Sequence, residues 1–230
     1  MAKRNAQKNL TTWKWTPHKN VFLLTCMDLR FLDDIVQFMG NYNLQNRYDH
    51  VVFAGSALGV LDGKSPLAEA DERTAPEYSI ACHHGTLKAV FLDHLHIAIN
   101  VLKRNISDVV ILEHQDCGAY HVFHPETKNN CKAEMKLHKE KAQTLAKVIQ
   151  KFTKHQVELA KSKLKQKVAE IKMTSDSDQV RELAQEIGEL SECKEKWKKL
   201  KVYCFIMDVN GEVHSLDSQE DLSKILCQAG

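Results

Sequence analysis

Four short apolar runs recur along the chain, and each ends in a polar or glycine-containing segment. The pattern predicts buried β-strands, because the central strands of a parallel sheet present apolar side chains to both faces. The predicted strands cover residues 21–25, 50–55, 108–112 and 202–207. Asn210-Gly211 follows the last of them and is typical of a hairpin turn, so a fifth strand can pair there.

Between the first three runs, apolar residues recur every three or four positions, which predicts amphipathic helices. These helices are predicted at residues 31–40 and 87–104. Their apolar faces are predicted to consist of Phe31, Leu32, Ile35, Val36 and Met39 in the first, and of Leu87, Val90, Phe91, Leu95, Ala98 and Leu102 in the second.

The stretch from 132 to 172 is rich in lysine and contains neither glycine nor proline, which favours a long helix. Ser175-Asp176-Ser177 then supplies capping residues, and helical apolar spacing resumes from 180 to 190. We therefore predict a helical hairpin inside an insertion at about residues 132–200. Its lysines are interpreted as a solvated face rather than as an anion site.

Strands that alternate with helices predict the α/β class, here a mostly parallel sheet of four to five strands flanked by helices. The helical hairpin precedes the last strand. Residues 1–20 are predicted to form an N-terminal arm, and residues 21–230 a single domain. Residues 56–81 hold two glycines and two prolines, so we expect a long loop with a function rather than regular structure throughout.

Composition narrows the class of protein. The 230 residues include 32 basic and 30 acidic side chains, for a net charge of +2, which gives no reason to expect nucleic acid or an anionic membrane as partner. No apolar run approaches the roughly 20 residues that span a bilayer. Seven cysteines cannot all pair within one chain. We expect a soluble cytoplasmic protein from a reducing compartment, with Cys82 and Cys131 as ordinary thiols.

The candidate chemistry lies where two of the predicted strands end. Cys26, Asp28 and Arg30 follow the first strand at alternate positions, so in an extended chain all three side chains would face one cleft. His114 and Cys117 follow the third strand. Ligand crevices of open parallel sheets lie at the carboxyl ends of their strands, so these residues can meet if the two strands are neighbours.

Two thiolates and one imidazole are three ligands of the type that Zn²⁺ prefers. A buried cysteine is usually a small apolar residue, and an Asp-Arg pair is usually a surface pair, but their joint placement favours a metal site. Arg30 can hold Asp28 ionised, and Asp28 can then accept a hydrogen bond from a zinc-bound hydroxide. Asp28 could instead bind the zinc directly and close the site in an inactive state. The sequence leaves both arrangements open.

The order C-x-D-x-R followed by H-x-x-C-G resembles the β-class carbonic anhydrases over about residues 21–122 and 201–216. The resemblance implies a zinc enzyme that interconverts carbon dioxide and bicarbonate, a homodimer or a dimer of dimers. It implies the following roles: Cys26, His114 and Cys117 as zinc ligands, Asp28 and Arg30 as a catalytic dyad, and Gly55, Ser56 and Gly118 as substrate-binding residues.

The chain departs from that family at two turns. Phe53 stands where the family usually has an arginine, and Ala119 where a second glycine is common. These changes affect the substrate pocket more than the zinc ligands. Two alternatives therefore stay open: a COS or CS₂ hydrolase that uses the same zinc hydroxide, and a catalytically silent zinc protein that binds a partner through the hairpin. Four histidines near the motifs could shuttle protons, although most are expected to be surface or packing residues: His83, His84, His121 and His124.

Overall fold

The computed structural model describes residues 19–62, 86–217, 222, 226 and 227, and the account of the structure is confined to them. Its elements in chain order are β1 (Asn20–Thr25), a 3₁₀ turn (Leu29–Phe31), α1 (Leu32–Asn41), β2 (Tyr48–Val52), α2 (Ala57–Asp62), α3 (Thr86–His96) with a π-helical turn (Ile97–Val101), β3 (Ile106–His114), α4 (Gly118–Phe123), a 3₁₀ turn (Pro125–Thr127), α5 (Cys131–Met173), α6 (Ser177–Lys199), β4 (Lys201–Met207) and β5 (Val213–Ser215).

The strands form a five-stranded sheet in the order β2-β1-β3-β4-β5. Neighbouring strands from β2 to β4 are parallel, and β5 is antiparallel to β4. This confirms the predicted α/β class, the mostly parallel sheet and the hairpin after the fourth strand. The strand order reverses between β1 and β3, and Thr25 pairs with Leu112, so both strands leave the sheet at one carboxyl edge. Ligands of open α/β sheets bind at such a point.

Apolar side chains of the sheet alternate between its two faces, as the period of a strand requires. On one face, Phe22 and Ile111 belong to the core that includes α3, α5 and Trp197. On the other face, Leu23 and Leu112 pack with α1. Because β1 and β3 are buried on both faces, the ends of these two strands are held firmly in place.

Two predicted helices differ from the structure in their ends and faces. The helix predicted at 87–104 ends at Val101, because its last turn widens so that the Leu102 amide bonds to the Ile97 carbonyl. Leu102 is therefore exposed, and Ile99 is buried in its place. In α1, Leu32 and Val36 are exposed and Phe38 is buried.

The stretch predicted as a loop from residue 56 begins with the short helix α2 (Ala57–Asp62), whose Ala57, Leu58 and Val60 are buried. Burial of these apolar residues stabilises a short helix although the segment contains a glycine, so the prediction of a loop is wrong for this part. Residues 63–85 and most of the predicted N-terminal arm lie outside the described residues. The division into an arm and one domain stays a prediction. Among the described residues, no helix combines the length and apolar character that crossing a membrane requires.

Gly59 allows α2 to pack against the turn before it. A Cβ atom added at Gly59 would overlap the Ala54 carbonyl oxygen, whereas one added at Gly188 in α6 would meet nothing. We expect Gly59→Ala to lower the free energy of unfolding by about 1–3 kcal/mol, the usual cost of overpacking. Gly188→Ala is the matched control and should raise it by about 1 kcal/mol through helix propensity. Urea unfolding measures both, and equal effects would contradict the expected overlap.

Cys131 at the start of α5 forms a disulfide with Cys227, across 96 residues of sequence. The prediction that Cys131 is an ordinary thiol is therefore wrong. The sequence could not indicate the pair, because neither cysteine lies in a recognisable motif and only the fold brings the chain's end back to α5. Cys82 lies outside the described residues. Structural disulfides are rare in reducing compartments, so this bridge argues against the predicted reducing compartment. The cytoplasmic location stays a prediction.

We expect Cys227→Ser to lower the free energy of unfolding by about 2–5 kcal/mol, because a bridge across a long loop restricts the unfolded chain. Chemical denaturation under non-oxidising conditions without reductant measures the change. The control is the same comparison with a reducing agent, where the wild type and the variant should become equal. A difference that persists in reductant would assign the loss to packing of the side chain instead.

Candidate metal centre

Cys26 is the first residue after β1, and its thiol is buried at the carboxyl edge of the sheet. The Gly55 amide donates a hydrogen bond to Cys26 Sγ at 3.2 Å. Gly55 has φ +75°, a backbone conformation that favours glycine, so the turn after β2 can bring its amide to the sulfur. A backbone donor at this distance stabilises the thiolate form of Cys26.

His114 is the last residue of β3, and its ring is oriented by the chain itself. Its Nδ1 lies 2.9 Å from the Gln115 carbonyl oxygen, a contact in which Nδ1–H donates, so Nε2 carries the lone pair. Nε2 is buried and has no hydrogen-bond partner among the described residues. A buried polar atom without a partner lowers the stability of the fold by about 1–3 kcal/mol. A metal ion bound at Nε2 would remove this cost.

Cys117 immediately precedes α4, three residues after His114. Its Sγ lies 3.9 Å from Cys26 Sγ, and its backbone amide donates to Glu134 Oε1 at 2.9 Å. The contact with the Cys117 thiol, followed by smaller contributions from His114 and the Gly55 amide, outweighs burial and lowers the pKa of Cys26. The same contact and burial raise the pKa of Cys117.

One donor atom from each of Cys26, His114 and Cys117 lies within 4.8 Å of the other two. The set consists of two sulfurs and one imidazole nitrogen, all buried, and the nitrogen has no other partner. Zinc favours such ligands, with bonds of about 2.0–2.3 Å, so the three atoms fit around one ion after a small inward movement.

Asp28 and Arg30 reach the centre by a different route from the one predicted. The chain is not extended after Cys26, because Asp28 caps the 3₁₀ turn that contains Arg30. Arg30 folds back and binds both carboxylate oxygens, with Nε 3.0 Å from Oδ1 and Nη2 2.7 Å from Oδ2. These bonds lower the pKa of Asp28 to about 2. Arg30 also binds the Asp116 side chain and carbonyl oxygen, each at 2.7 Å.

Asp28 lies beside the three donors rather than among them. Its Oδ2 is 3.9 Å from His114 Nε2, too far for a hydrogen bond. The carboxylate therefore lies next to the three-donor cluster without belonging to it. Arg30 fixes the carboxylate there through two parallel bonds, the strongest geometry for such a pair.

The centre borders a cavity of about 10 Å³, the size of about one water molecule. Its lining is mainly apolar around a few polar groups: Thr25, Cys26, Asp28, Phe31, Ile35, Leu112, Glu113, His114 and Met207. Met27 and Leu29, in the same segment as Asp28, are exposed by 67% and 85%. Within the described chain, the centre is thus tightly enclosed and is flanked by exposed apolar side chains.

The three predicted substrate-binding residues do not line this cavity. The amide of Gly55 already binds a thiol, and Ser56 is fully buried, with no partner for its hydroxyl among the described residues. Gly118 begins α4. Their role in binding substrate stays a prediction.

A buried group of titratable residues that the sequence patterns did not single out lies beneath the centre. Glu113 precedes His114 on β3, while Glu134 and His138 come from α5. His138 Nδ1 lies 3.0 Å from Glu113 Oε2, and its Nε2 lies 3.5 Å from Glu134 Oε1. Burial opposes a charge on His138, but the two carboxylates outweigh it and raise its pKa. The spacing of Glu134 and His138, four apart on one helix face, was the available signal.

Other candidate groups lie apart from the three donors. His121 Nε2 is 3.4 Å from Glu134 Oε1 and His124 Nδ1 is 3.3 Å from Glu126 Oε1, while His83 and His84 lie outside the described residues. A second group of possible metal donors lies at the turn between β4 and β5: Asp208, Glu212 and His214. Asp208 Oδ1 already accepts hydrogen bonds from the amides of Asn210 and Glu212. Asp208 therefore stabilises this turn, which explains its position without a metal.

Comparison with known proteins gives distant similarities. No model of a known protein family matches the chain. An uncharacterized protein of Rickettsia conorii is 25% identical over 113 residues, 49% of this chain and 50% of that protein, so the chain spans about half the length of this curated relative. The crystal structure of a β-carbonic anhydrase of Aspergillus fumigatus is similar at 16% identity with a TM-score of 0.36, covering 88% of this chain and 77% of the other.

A β-carbonic anhydrase structure from Sordaria macrospora, described as tetrameric, is similar at 12% identity with a TM-score of 0.32. That similarity covers 88% of this chain and 83% of the other. At these identities and TM-scores, the likenesses do not assign the chain to a family.

Proposed function

We propose that the protein is a zinc-dependent carbonic anhydrase, which interconverts carbon dioxide plus water and bicarbonate plus a proton. The observation that carries the proposal is the cluster of Cys26, His114 and Cys117, in which the buried His114 Nε2 has no other partner. A carboxylate held by an arginine lies beside it. A purely structural zinc site does not need that pair, which favours an enzyme over a silent zinc-binding homologue.

Each residue has a separate task in this proposal. Cys26, His114 and Cys117 would hold zinc, which as a Lewis acid makes a bound water more acidic. Asp28 accepts a hydrogen bond from the attacking water at Oδ2 and orients it toward the substrate. Arg30 keeps Asp28 ionised and in place, which favours Asp28 as an orienting group over Asp28 as a zinc ligand.

The apolar wall formed by Phe31, Ile35 and Met207 suits a small uncharged molecule. Carbon dioxide, COS and CS₂ are all of this kind, and none carries a charge that the cavity would have to neutralise. The altered turn at Phe53 is the observation that keeps COS and CS₂ hydrolysis as the second candidate function.

We propose that the working unit is a homodimer or a dimer of dimers in the cytoplasm. Met27 and Leu29 are strongly exposed beside the site, and Leu32 and Val36 are also exposed on the adjoining helix. Apolar side chains grouped around a functional cleft are typical of a surface that another molecule covers. Light scattering measures the assembly, and a monomer at working concentration would contradict this part of the proposal.

Stopped-flow hydration of carbon dioxide on protein of measured zinc content tests the function. We expect the turnover rate to rise from neutral to alkaline pH. At a fixed pH, the rate should be proportional to the zinc content of the protein. COS and CS₂ assays on the same preparation separate the second candidate, which predicts turnover with those substrates and little with carbon dioxide. Full zinc content with no turnover of any of the three would support the silent zinc-binding homologue.

A further inference from the structure

Three titratable side chains lie almost completely buried directly behind the metal centre. Glu113 is 1% exposed, Glu134 is 4% exposed and His138 is 0% exposed. Burying charged groups is costly unless each is paired, so a group of three needs a reason. None of them supplies a donor atom to the three-donor cluster.

Each carboxylate holds a backbone amide that belongs to the centre. Glu134 Oε1 accepts from the amide of Cys117, itself a proposed ligand, at 2.9 Å. Glu113 Oε1 accepts from the Ala57 amide at 3.0 Å, two residues after Gly55, whose amide binds Cys26 Sγ. One carboxylate therefore fixes the turn that carries Cys117, and the other fixes the turn that contacts Cys26.

His138 lies between the two carboxylates. Its Nδ1 is hydrogen-bonded to Glu113 Oε2 at 3.0 Å, whereas its Nε2 lies 3.5 Å from Glu134 Oε1 without a hydrogen bond. The Tyr120 ring packs on it with 3.8 Å between ring centroids. Because Glu134 and His138 both lie on α5, the long helical hairpin is connected to the centre by charged contacts rather than by apolar packing alone.

We propose that Glu134 and His138 are positioning residues: Glu134 holds the turn that carries Cys117, and His138, through its bond to Glu113, holds the turn whose Gly55 amide contacts Cys26. The inference rests on the metal centre proposed above. It assigns the start of α5 a task that the lysine-rich composition of the insertion does not suggest. Groups outside the ligand set that orient metal ligands typically contribute 10–100-fold in affinity, so the effect should be measurable directly.

The test compares Glu134→Leu and His138→Gln with Glu158→Leu, a matched control on α5 whose side chain is exposed and bonded to Lys161. Leucine removes the oxygen that accepts from the Cys117 amide. Zinc affinity is measured by competition with a chromogenic chelator, and the cobalt-substituted proteins are examined by absorption spectroscopy. We expect a dissociation constant about 10–100-fold higher in the first two variants and altered sulfur-to-cobalt and d–d bands. The control should match the wild type in both measurements.

Circular dichroism and thermal unfolding check that each variant is folded. A role in folding alone would lower the melting temperature while leaving zinc affinity and cobalt bands unchanged, and that result would overturn the inference. If His138→Gln does not fold, Glu134→Leu decides by the same two measurements. Wild-type protein that binds no zinc would instead refute the metal centre, which is a different result.

Discussion

Cys117→Ser is expected to reduce zinc from one ion per chain to almost none and to abolish carbon dioxide hydration. A serine hydroxyl does not provide the thiolate that zinc favours, and the remaining Cys26 and His114 form an incomplete set. Metal analysis after gel filtration measures the first effect and stopped-flow kinetics the second. Cys26→Ser and His114→Ala should behave in the same way, because each removes one of the three donors.

The control for this experiment is Cys193→Ser, which removes a free buried cysteine that lies outside the donor cluster. It should retain both zinc and turnover. Full zinc occupancy in Cys117→Ser would show that the ligand assignment is wrong, whatever the activity. Loss of zinc from the control as well would indicate general destabilisation rather than loss of a ligand.

Asp28→Asn should keep zinc and lose about 10²- to 10⁴-fold in turnover, the usual contribution of a positioned acid–base group. The amide has nearly the shape of the carboxylate but cannot accept hydrogen bonds at both positions, and it no longer carries the charge that Arg30 binds. Steady-state and stopped-flow rates on zinc-quantified protein measure the loss.

Asp33→Asn in the first turn of α1 makes the same chemical change at an exposed acid and should leave turnover unaltered. Undiminished turnover in Asp28→Asn would remove this residue from the mechanism. A loss of zinc together with activity would instead make Asp28 a metal ligand, the arrangement that the sequence also allows.

The centre of the sheet could be predicted because β1 and β3 are buried on both faces, so that uninterrupted apolar runs mark them. The approximate position of Cys26, His114 and Cys117 followed from the rule that parallel strands end at one edge. The route of Arg30 could not be predicted by strand periodicity, because a 3₁₀ turn begins three residues after Cys26 and reverses the side chain's direction. Arg30 nevertheless binds the Asp28 carboxylate, as the sequence predicts.

Other features depend on contacts between distant parts of the chain. Glu134 and His138 resemble the many solvated charges of α5 until the fold places Glu113 and Cys117 against them. Leu102 has an apolar side chain on the helical period, yet the widened last turn of the α3 region exposes it. The spacing of apolar residues predicts which face of a helix is apolar. It does not predict which other part of the chain covers that face.

The bridge between Cys131 and Cys227 closes a covalent ring that contains both long helices and β4. The exposed turn from 174 to 176 lies inside this ring. A protease that cuts there would leave two polypeptides that migrate as one on a gel without reductant and separate with it. The piece that carries β4 would stay tethered to the piece that carries β3, so backbone continuity between the helices is not required to keep the sheet in one molecule.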